Sequence, residues 1–300
     1  MCRKRSIENN YIQIGSHKVK KEMSLFNYAF VFLFMIMACH KKHEKPSFLL
    51  IAHRGGVVND TLSENSLKGL EEAIKRGYTH IELDVRVTKD GHAVCFHDKN
   101  LMREAGINKD ISDLTLNELR VMKLTRSQEI IPTFDEYCAR CAGRINVMID
   151  TKSGDVQNIE QYIGDTETAL VKYGLLKDAL FIIDRVPTCN QQKVAYWFLG
   201  KAKVSWRVDL KKAKILLNTM PENPGQYYFI FNSPINFTKE DIDGFHRMGL
   251  MVIPSINKDH YKAGDPLTQG LADVQEMLDW GVDGLQIDSC YDPLVFAWMK

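Results

Sequence analysis

The sequence predicts an α/β fold: a (β/α)8 TIM barrel with a β-hairpin and short-helix insertion after its second strand. Three observations predict it. Short apolar runs alternate with longer amphipathic ones about eight times along the chain. At 300 residues the chain is long enough for one such barrel. No Gly-rich phosphate fingerprint supports the doubly wound open sheet, the structural alternative. Composition is that of a globular enzyme-sized domain, 45% hydrophobic and 26% charged. A net charge of +1 gives no electrostatic footprint for nucleic acid.

The elements follow in order. Ser47–Ala52 reads as a buried strand, and a helix opens at Ser63 or Glu64 and ends at Gly77, a good residue for the left-handed cap. His80–Val87 is the second strand; the turn Lys89-Asp90-Gly91 returns the chain along Ala93–Phe96 as a hairpin. A polar stretch leads to a helix near Leu116–Met122, and Pro132 starts the next, which runs to Ala142. Strands at Ile145–Ile149, Ala179–Ile183, Lys203–Trp206, Tyr227–Phe231, Leu250–Ile253 and Gly284–Ile287 complete the set. Helices at about Val156–Tyr173, after Pro187, and at Leu210–Leu217, Lys239–Met248 and Leu271–Trp280 separate them, with a short terminal helix last.

Residues 1–38 read as a signal peptide, 39–46 as a linker and 47–300 as the barrel domain. Lys18, Lys20 and Lys21 precede an apolar run from Leu25 to Ala38, broken only by Asn27 and shorter than the roughly 20 residues a membrane-spanning helix needs. Ile36-Met37-Ala38-Cys39 resembles a bacterial lipobox, which would make Cys39 the lipidated first residue of an exported, membrane-anchored lipoprotein, in the periplasm or on the cell surface. An uncleaved anchor is the alternative, and Met23 is an alternative start. The first 38 residues carry six Lys/Arg and two Glu, so the remainder holds 33 basic and 36 acidic residues. A phosphate bound by this mildly acidic body needs locally placed cations or a metal. Cys95, Cys138, Cys141, Cys189 and Cys290 are odd in number and scattered, which is no disulfide framework; the lone Cys138-x-x-Cys141 reads as packing.

In a barrel, chemistry gathers at the carboxyl ends of the strands. The first strand ends in His53-Arg54-Gly55-Gly56. Glu82 and Asp84, two apart, share one strand face, and such a pair calls for a cation or proton between them. Asp150 and Lys152 end the next parallel strand with the same spacing. Asp150 is a third ligand candidate for a hard divalent cation and Lys152 a phosphate contact. The hairpin strand ends in His97-Asp98. One His at a strand end is by itself more often structural than catalytic; two His, Arg, Lys and three carboxylates at one barrel mouth are a stronger combination.

These residues stand in ordered motifs: His53-Arg54-Gly55, Glu64-Asn65-Ser66, Glu82-Leu83-Asp84-Val85, Thr88-Lys89-Asp90-Gly91 and His97-Asp98. Leu114-Thr115-Leu116, Ile131-Pro132-Thr133-Phe134 and Gly281-Val282-Asp283-Gly284 extend the series. In order and spacing the series resembles the glycerophosphodiester phosphodiesterases, densely from Leu50 to Lys152 and more thinly afterwards. The resemblance implies one Ca2+ or Mg2+ held by Glu82, Asp84 and Asp150, with phosphate charge met by Arg54 and Lys152. It implies His53 and His97 as general acid and base, in an order the sequence leaves open, with Glu64 and Asn65 supporting the first strand and the metal site. It also implies attack by the neighbouring glycerol hydroxyl, then opening of the cyclic phosphate by water, with glycerol 3-phosphate and an alcohol as products. The partner is thus a small-molecule phosphodiester.

Several positions depart from the family pattern. Asp150 stands where Glu is more usual. Asp184-Arg185 and Trp206-Arg207 are more charged than expected. Pro254-Ser255-Ile256-Asn257 lacks a common Trp, and Gln286-Ile287-Asp288-Ser289 replaces Thr-Asp-x-Pro. Asp184, Arg207 and Asp288 are therefore candidates for reading a different head group, with solvated loop charge as the bland alternative. Two other functions compete. One is phospholipase-like cleavage of a lipid on the same barrel, and the other is a binding lipoprotein on a degenerate one, which the intact His and carboxylate set disfavours.

Overall fold

The computed structural model describes residues 48–152, 158–216 and 223–300. The signal peptide, the linker, Cys39 and the expected starts at Ser47 and Val156 lie outside them, as does Leu217. Eight strands run parallel: β1 (Leu49–Ala52), β2 (His80–Val87), β4 (Asn146–Thr151), β5 (Leu180–Ile182), β6 (Lys203–Trp206), β7 (Tyr228–Asn232), β8 (Met251–Ile256) and β9 (Gly284–Ile287). Each pairs with the next, and β1 closes the ring by pairing with both β9 and β2. The extra strand β3 (Ala93–Cys95) pairs antiparallel with β2 as the predicted hairpin.

Strand parity divides the apolar residues into two populations. Ile51, Met148, Leu180, Ile182, Phe229, Phe231 and Ile253 fill the barrel interior. The alternate residues, such as Leu50, Leu83, Val147, Phe181, Val252 and Leu285, pack outward against the helices. Burial on both faces explains why the strands read as continuous apolar runs. The long helices are α1 (Leu67–Arg76), α4 (Phe134–Cys141), α5 (Ile159–Lys172), α6 (Cys189–Phe198), α7 (Leu210–Leu216), α8 (Lys239–Arg247) and α9 (Pro266–Asp279), with a terminal α10 (Asp292–Trp298). After β3 come the short α2 (Met102–Ala105) and α3 (Leu116–Leu119). A separate apolar cluster around Val94, Phe96, Leu101, Ile111 and Leu124 holds this insertion together.

Several expected boundaries move for identifiable reasons. The first helix begins at Leu67, not at Ser63 or Glu64, because Ser66 Oγ caps it by accepting from Gly69 N at 3.0 Å. Residues 63–66 are thereby released to the barrel mouth. Pro132 lies outside its helix: Thr133 and Glu136 form a capping box and the helix starts at Phe134. Another box, Thr115 with Glu118, opens α3, which stops at Leu119 well short of Met122. Helix α9 starts five residues before Leu271, at Pro266, capped by Asp265. The α2 turn has no signature in the sequence, since four residues carry no period. Cys95, Cys138 and Cys141 are buried free thiols, and burial pushes the Cys141 thiol up to about 12. No helix among the described residues is long and apolar enough to cross a membrane.

Candidate active site

The loop after β1 sets the site's geometry. Arg54 adopts φ 51°, and Gly55 and Gly56 follow at φ 76° and 127°. A Cβ on Gly55 would lie 2.4 Å from the Asn65 Cα, so only glycine admits this crossing. The buried Tyr137 hydroxyl clamps the crossing by donating to the Gly55 carbonyl. This sharp turn delivers His53 to the interior and lets the Arg54 backbone N–H donate to Glu82 Oε2 at 2.8 Å.

Glu82 and Asp84 project inward from β2, and Asp150 from its registered partner position on β4. Each of the three offers one oxygen, and these oxygens lie within 4.8 Å of one another. Burial and the adjacent Asp84 carboxylate push the Glu82 carboxyl well above its usual range. Burial acts the same way on Asp84, but Lys152, His97 and an amide hydrogen bond from Asn65 (2.9 Å) outweigh it and hold that carboxyl low. Asp84 Oδ1 is buried and accepts no hydrogen bond, with the Lys152 ammonium 3.3 Å away. Lys152 Nζ donates to Asp150 Oδ2 at 2.5 Å. Three converging carboxylates with an unsatisfied buried oxygen fit a hard divalent cation. The shorter arm of Asp150 still reaches the cluster.

Two imidazoles flank this cluster, each with Nδ1 held by a carboxylate. His53 Nδ1 lies 2.7 Å from Asp288 Oδ1, leaving Nε2 toward Glu82 at 3.8 Å. Burial alone would lower the His53 pKa, but Glu82 and Asp288 overcome it and raise the pKa to about 9. His97 Nδ1 lies 2.7 Å from Asp98 Oδ1. Burial pushes the Asp98 carboxyl up, but Arg103 and His97 outweigh it and hold that carboxyl down at about 2. Beside His97 and Lys152 the mouth opens into a cleft of about 520 Å³ that Arg86 and Arg103 also line.

The structure thus brings His53, His97, Glu82, Asp84, Asp150 and Lys152 together. Arg54, expected to meet phosphate charge, has both terminal nitrogens engaged by protein carboxylates. Its terminal nitrogens donate to Glu64 and Asp259, both at 2.8 Å, and its buried Nε has no hydrogen-bond partner. Glu64 does not touch the carboxylate cluster; it binds Arg54 and accepts both terminal nitrogens of Arg103 at 2.7 Å. Asp288 is engaged by His53 through Oδ1 and by the Lys258 backbone N–H at 2.8 Å through Oδ2, an arrangement that orients the imidazole. Asp184 accepts from Gln191 at 2.9 Å. Arg207 donates Nε to the Ile183 carbonyl and lies 4.8 Å above the Phe231 ring.

Sequence reasoning missed Arg103, in the four-residue α2, and Asp259, in the single 3-10 turn Lys258–His260, both too short to carry a pattern. It named Asp98 without a role. Asp288 had a usable signal: barrel closure puts the end of the last strand beside the end of the first, where His53 sits.

The Glycerophosphoryl diester phosphodiesterase family model matches residues 53–290. The chain belongs to this family. The fold of these phosphodiesterases recurs in solved structures. One, a glycerophosphoryl diester phosphodiesterase from Parabacteroides distasonis, aligns with a TM-score of 0.66 at 21% identity over 86% of this chain and 89% of that one. Another, an Oleispira antarctica phosphodiesterase in complex with the product sn-glycerol-3-phosphate, aligns with a TM-score of 0.61 at 19% identity over 83% and 95%. Lysophospholipase D GDPD3 of Mus musculus is 35% identical over 104 residues. That segment is 33% of this chain and 31% of the relative, so the chain spans about a third of the curated relative's length.

Proposed function

We propose that this member of the family is a metal-dependent glycerophosphodiester phosphodiesterase, releasing an alcohol and glycerol 3-phosphate with His53 and His97 as the acid–base pair. One observation carries the reading. Two imidazoles, each with its Nδ1 fixed by a carboxylate, flank a three-carboxylate cluster at the carboxyl ends of β1–β4. Holding Nδ1 leaves each Nε2 to accept a proton from an attacking hydroxyl or return one to a leaving oxygen.

In this mechanism the neighbouring glycerol hydroxyl attacks phosphorus while one imidazole takes its proton. The P–O bond to the alcohol breaks and the other imidazole protonates that oxygen. Water then opens the cyclic phosphate with the imidazole roles reversed, so one water is consumed per diester. Lys152 meets phosphate charge, and Arg54, held rigidly by Glu64 and Asp259, adds its field. A divalent cation, Ca2+ or Mg2+, held by Glu82, Asp84 and Asp150 would supply Lewis-acid polarisation of a phosphate oxygen.

The test is turnover of glycerophosphocholine, glycerophosphoethanolamine and glycerophosphoinositol by residues 40–300, with EDTA and with Ca2+ or Mg2+ restored. Metal-restored release of glycerol 3-phosphate is expected. No release by folded protein in any combination would overturn the reading.

A second reading, cleavage of a lysophospholipid, has its own support. Val186 and Ile235, in the loops following β5 and β7 at the mouth, are 85% and 92% exposed, and a relative bears the name Lysophospholipase D. Faster turnover of lysophospholipid in vesicles than of the matching soluble diester would favour it. We also infer export and lipid attachment at Cys39, supported by the basic and apolar runs before it. Incorporation of a labelled fatty acid that Cys39→Ala abolishes is the expected result.

A further inference from the structure

Across the barrel from His53, at the carboxyl end of β6, Arg207 is not used by the chemistry above. Its residue parity turns it inward, and its guanidinium lies over Phe231, part of the interior's apolar layer. Nε is spent on the Ile183 carbonyl at 3.1 Å. Among the described residues no acidic side chain is within ion-pair distance, and the two terminal nitrogens make no hydrogen bond to any of them. Nearby, Arg185 donates to Asn232 Oδ1 at 3.1 Å and likewise has no acidic partner among the described residues. The nearest carboxylate of the loop, Asp184, is held by Gln191. Burial lowers the Arg207 pKa, the field of Arg185 acts in the same sense, and Asp150 and Asp184 oppose them. A half-buried guanidinium with its two terminal nitrogens open to the mouth, next to a second guanidinium, is placed to receive an anion.

We propose that Arg207, with Arg185 beside it, is a specificity-determining site for a second anionic group, a carboxylate or phosphomonoester, on the half of the substrate that extends across the mouth. This deepens the phosphodiesterase reading and rests on it. On that reading the reacting phosphate would lie between the two imidazoles, its charge met by Lys152 and by a cation that Glu82, Asp84 and Asp150 would hold. Arg207 stands on the far wall, four strands round the ring from β1. A planar fork set on an aromatic face is suited to a bidentate oxyanion.

The test compares matched diesters: glycerophosphoglycerol with glycerophosphoglycerate, and glycerophosphoinositol with its 4-phosphate. Wild type should favour the anionic member of at least one pair by about 10- to 100-fold in kcat/KM, the range of a charge-assisted hydrogen bond. The pair that responds tells carboxylate from phosphomonoester. Arg207→Gln should bring the ratio to near 1, Arg207→Lys should keep an intermediate ratio, and Arg185→Gln should lower it in part. No anionic preference in wild type, or an Arg207→Gln loss equal on both members, overturns the proposal. Calorimetric binding of the same four diesters to the His97→Ala protein separates the two failures. Tighter binding of the anionic members without turnover in wild type would sink the phosphodiesterase reading and leave the anion site standing.

Discussion

Asp288 Oδ1 sits 2.7 Å from His53 Nδ1, and the other Asp288 oxygen is pinned by the Lys258 backbone N–H. The carboxylate therefore fixes the ring plane of His53, so that Nε2 faces the carboxylate cluster. Asp288→Asn should keep the fold but present an amide that cannot hold Nδ1–H in the same way. Since a placed acid or base contributes roughly 10²–10⁴-fold, kcat should fall about 100-fold with KM changing far less. Steady-state kinetics measure it; a loss under about threefold, or one confined to KM, would return Asp288 to a substrate-reading role.

The carboxylate cluster makes a second prediction through stability alone. Ligand that binds only the folded state raises the midpoint of unfolding. Adding Ca2+ or Mg2+ to EDTA-treated protein should therefore raise Tm, and turnover should recover with it. Asp84→Asn removes the buried oxygen that accepts no hydrogen bond and should abolish both responses. An unchanged metal-induced Tm shift in that variant would exclude Asp84 as a ligand.

Much of this was legible in the sequence because strand parity is rigid. Glu82 and Asp84, or Asp150 and Lys152, must share a face once their strands are recognised, and barrel closure brings those faces together. What the sequence concealed are contacts between loops. Nothing local says that Glu64 abandons its expected helix to bind two arginines, or that Asp259 comes from 205 residues away to hold Arg54. Helix starts moved because a capping side chain overrides the apolar period, as Thr133 does next to Pro132.

That ion-pair relay is itself testable. His97, Asp98, Arg103, Glu64, Arg54 and Asp259 form a continuous chain of hydrogen bonds around the mouth. Glu64 is its centre and is 6% exposed. Glu64→Gln removes the charge that two guanidinium groups share. It should cost about 1–3 kcal/mol in urea unfolding and slow turnover by releasing Arg54. Wild-type stability in Glu64→Gln would mean the arginines are held without it.

The acid side of stability should carry the signature of His80. This residue lies at the amino end of β2, 4% exposed, with Nδ1 3.0 Å from the Thr79 hydroxyl. Burial lowers its pKa to about 4, and Asp178 opposes the shift only in part. In the unfolded chain the same imidazole titrates near its ordinary value of about 6.5. Between those values the unfolded state holds a proton the folded state lacks, so stability rises with pH across that window. Its contribution is complete above about pH 6.5 and is lost as pH falls toward 4, amounting to about 3 kcal/mol at one pH unit per 1.36 kcal/mol. Carboxylates titrate in the lower part of the same window, so the useful quantity is the difference between wild type and His80→Gln. Urea-unfolding free energies of the two proteins should converge as pH drops from 6.5 to 4, because only the wild type loses this contribution. Parallel curves over that range would mean that His80 takes up its proton without leaving the fold.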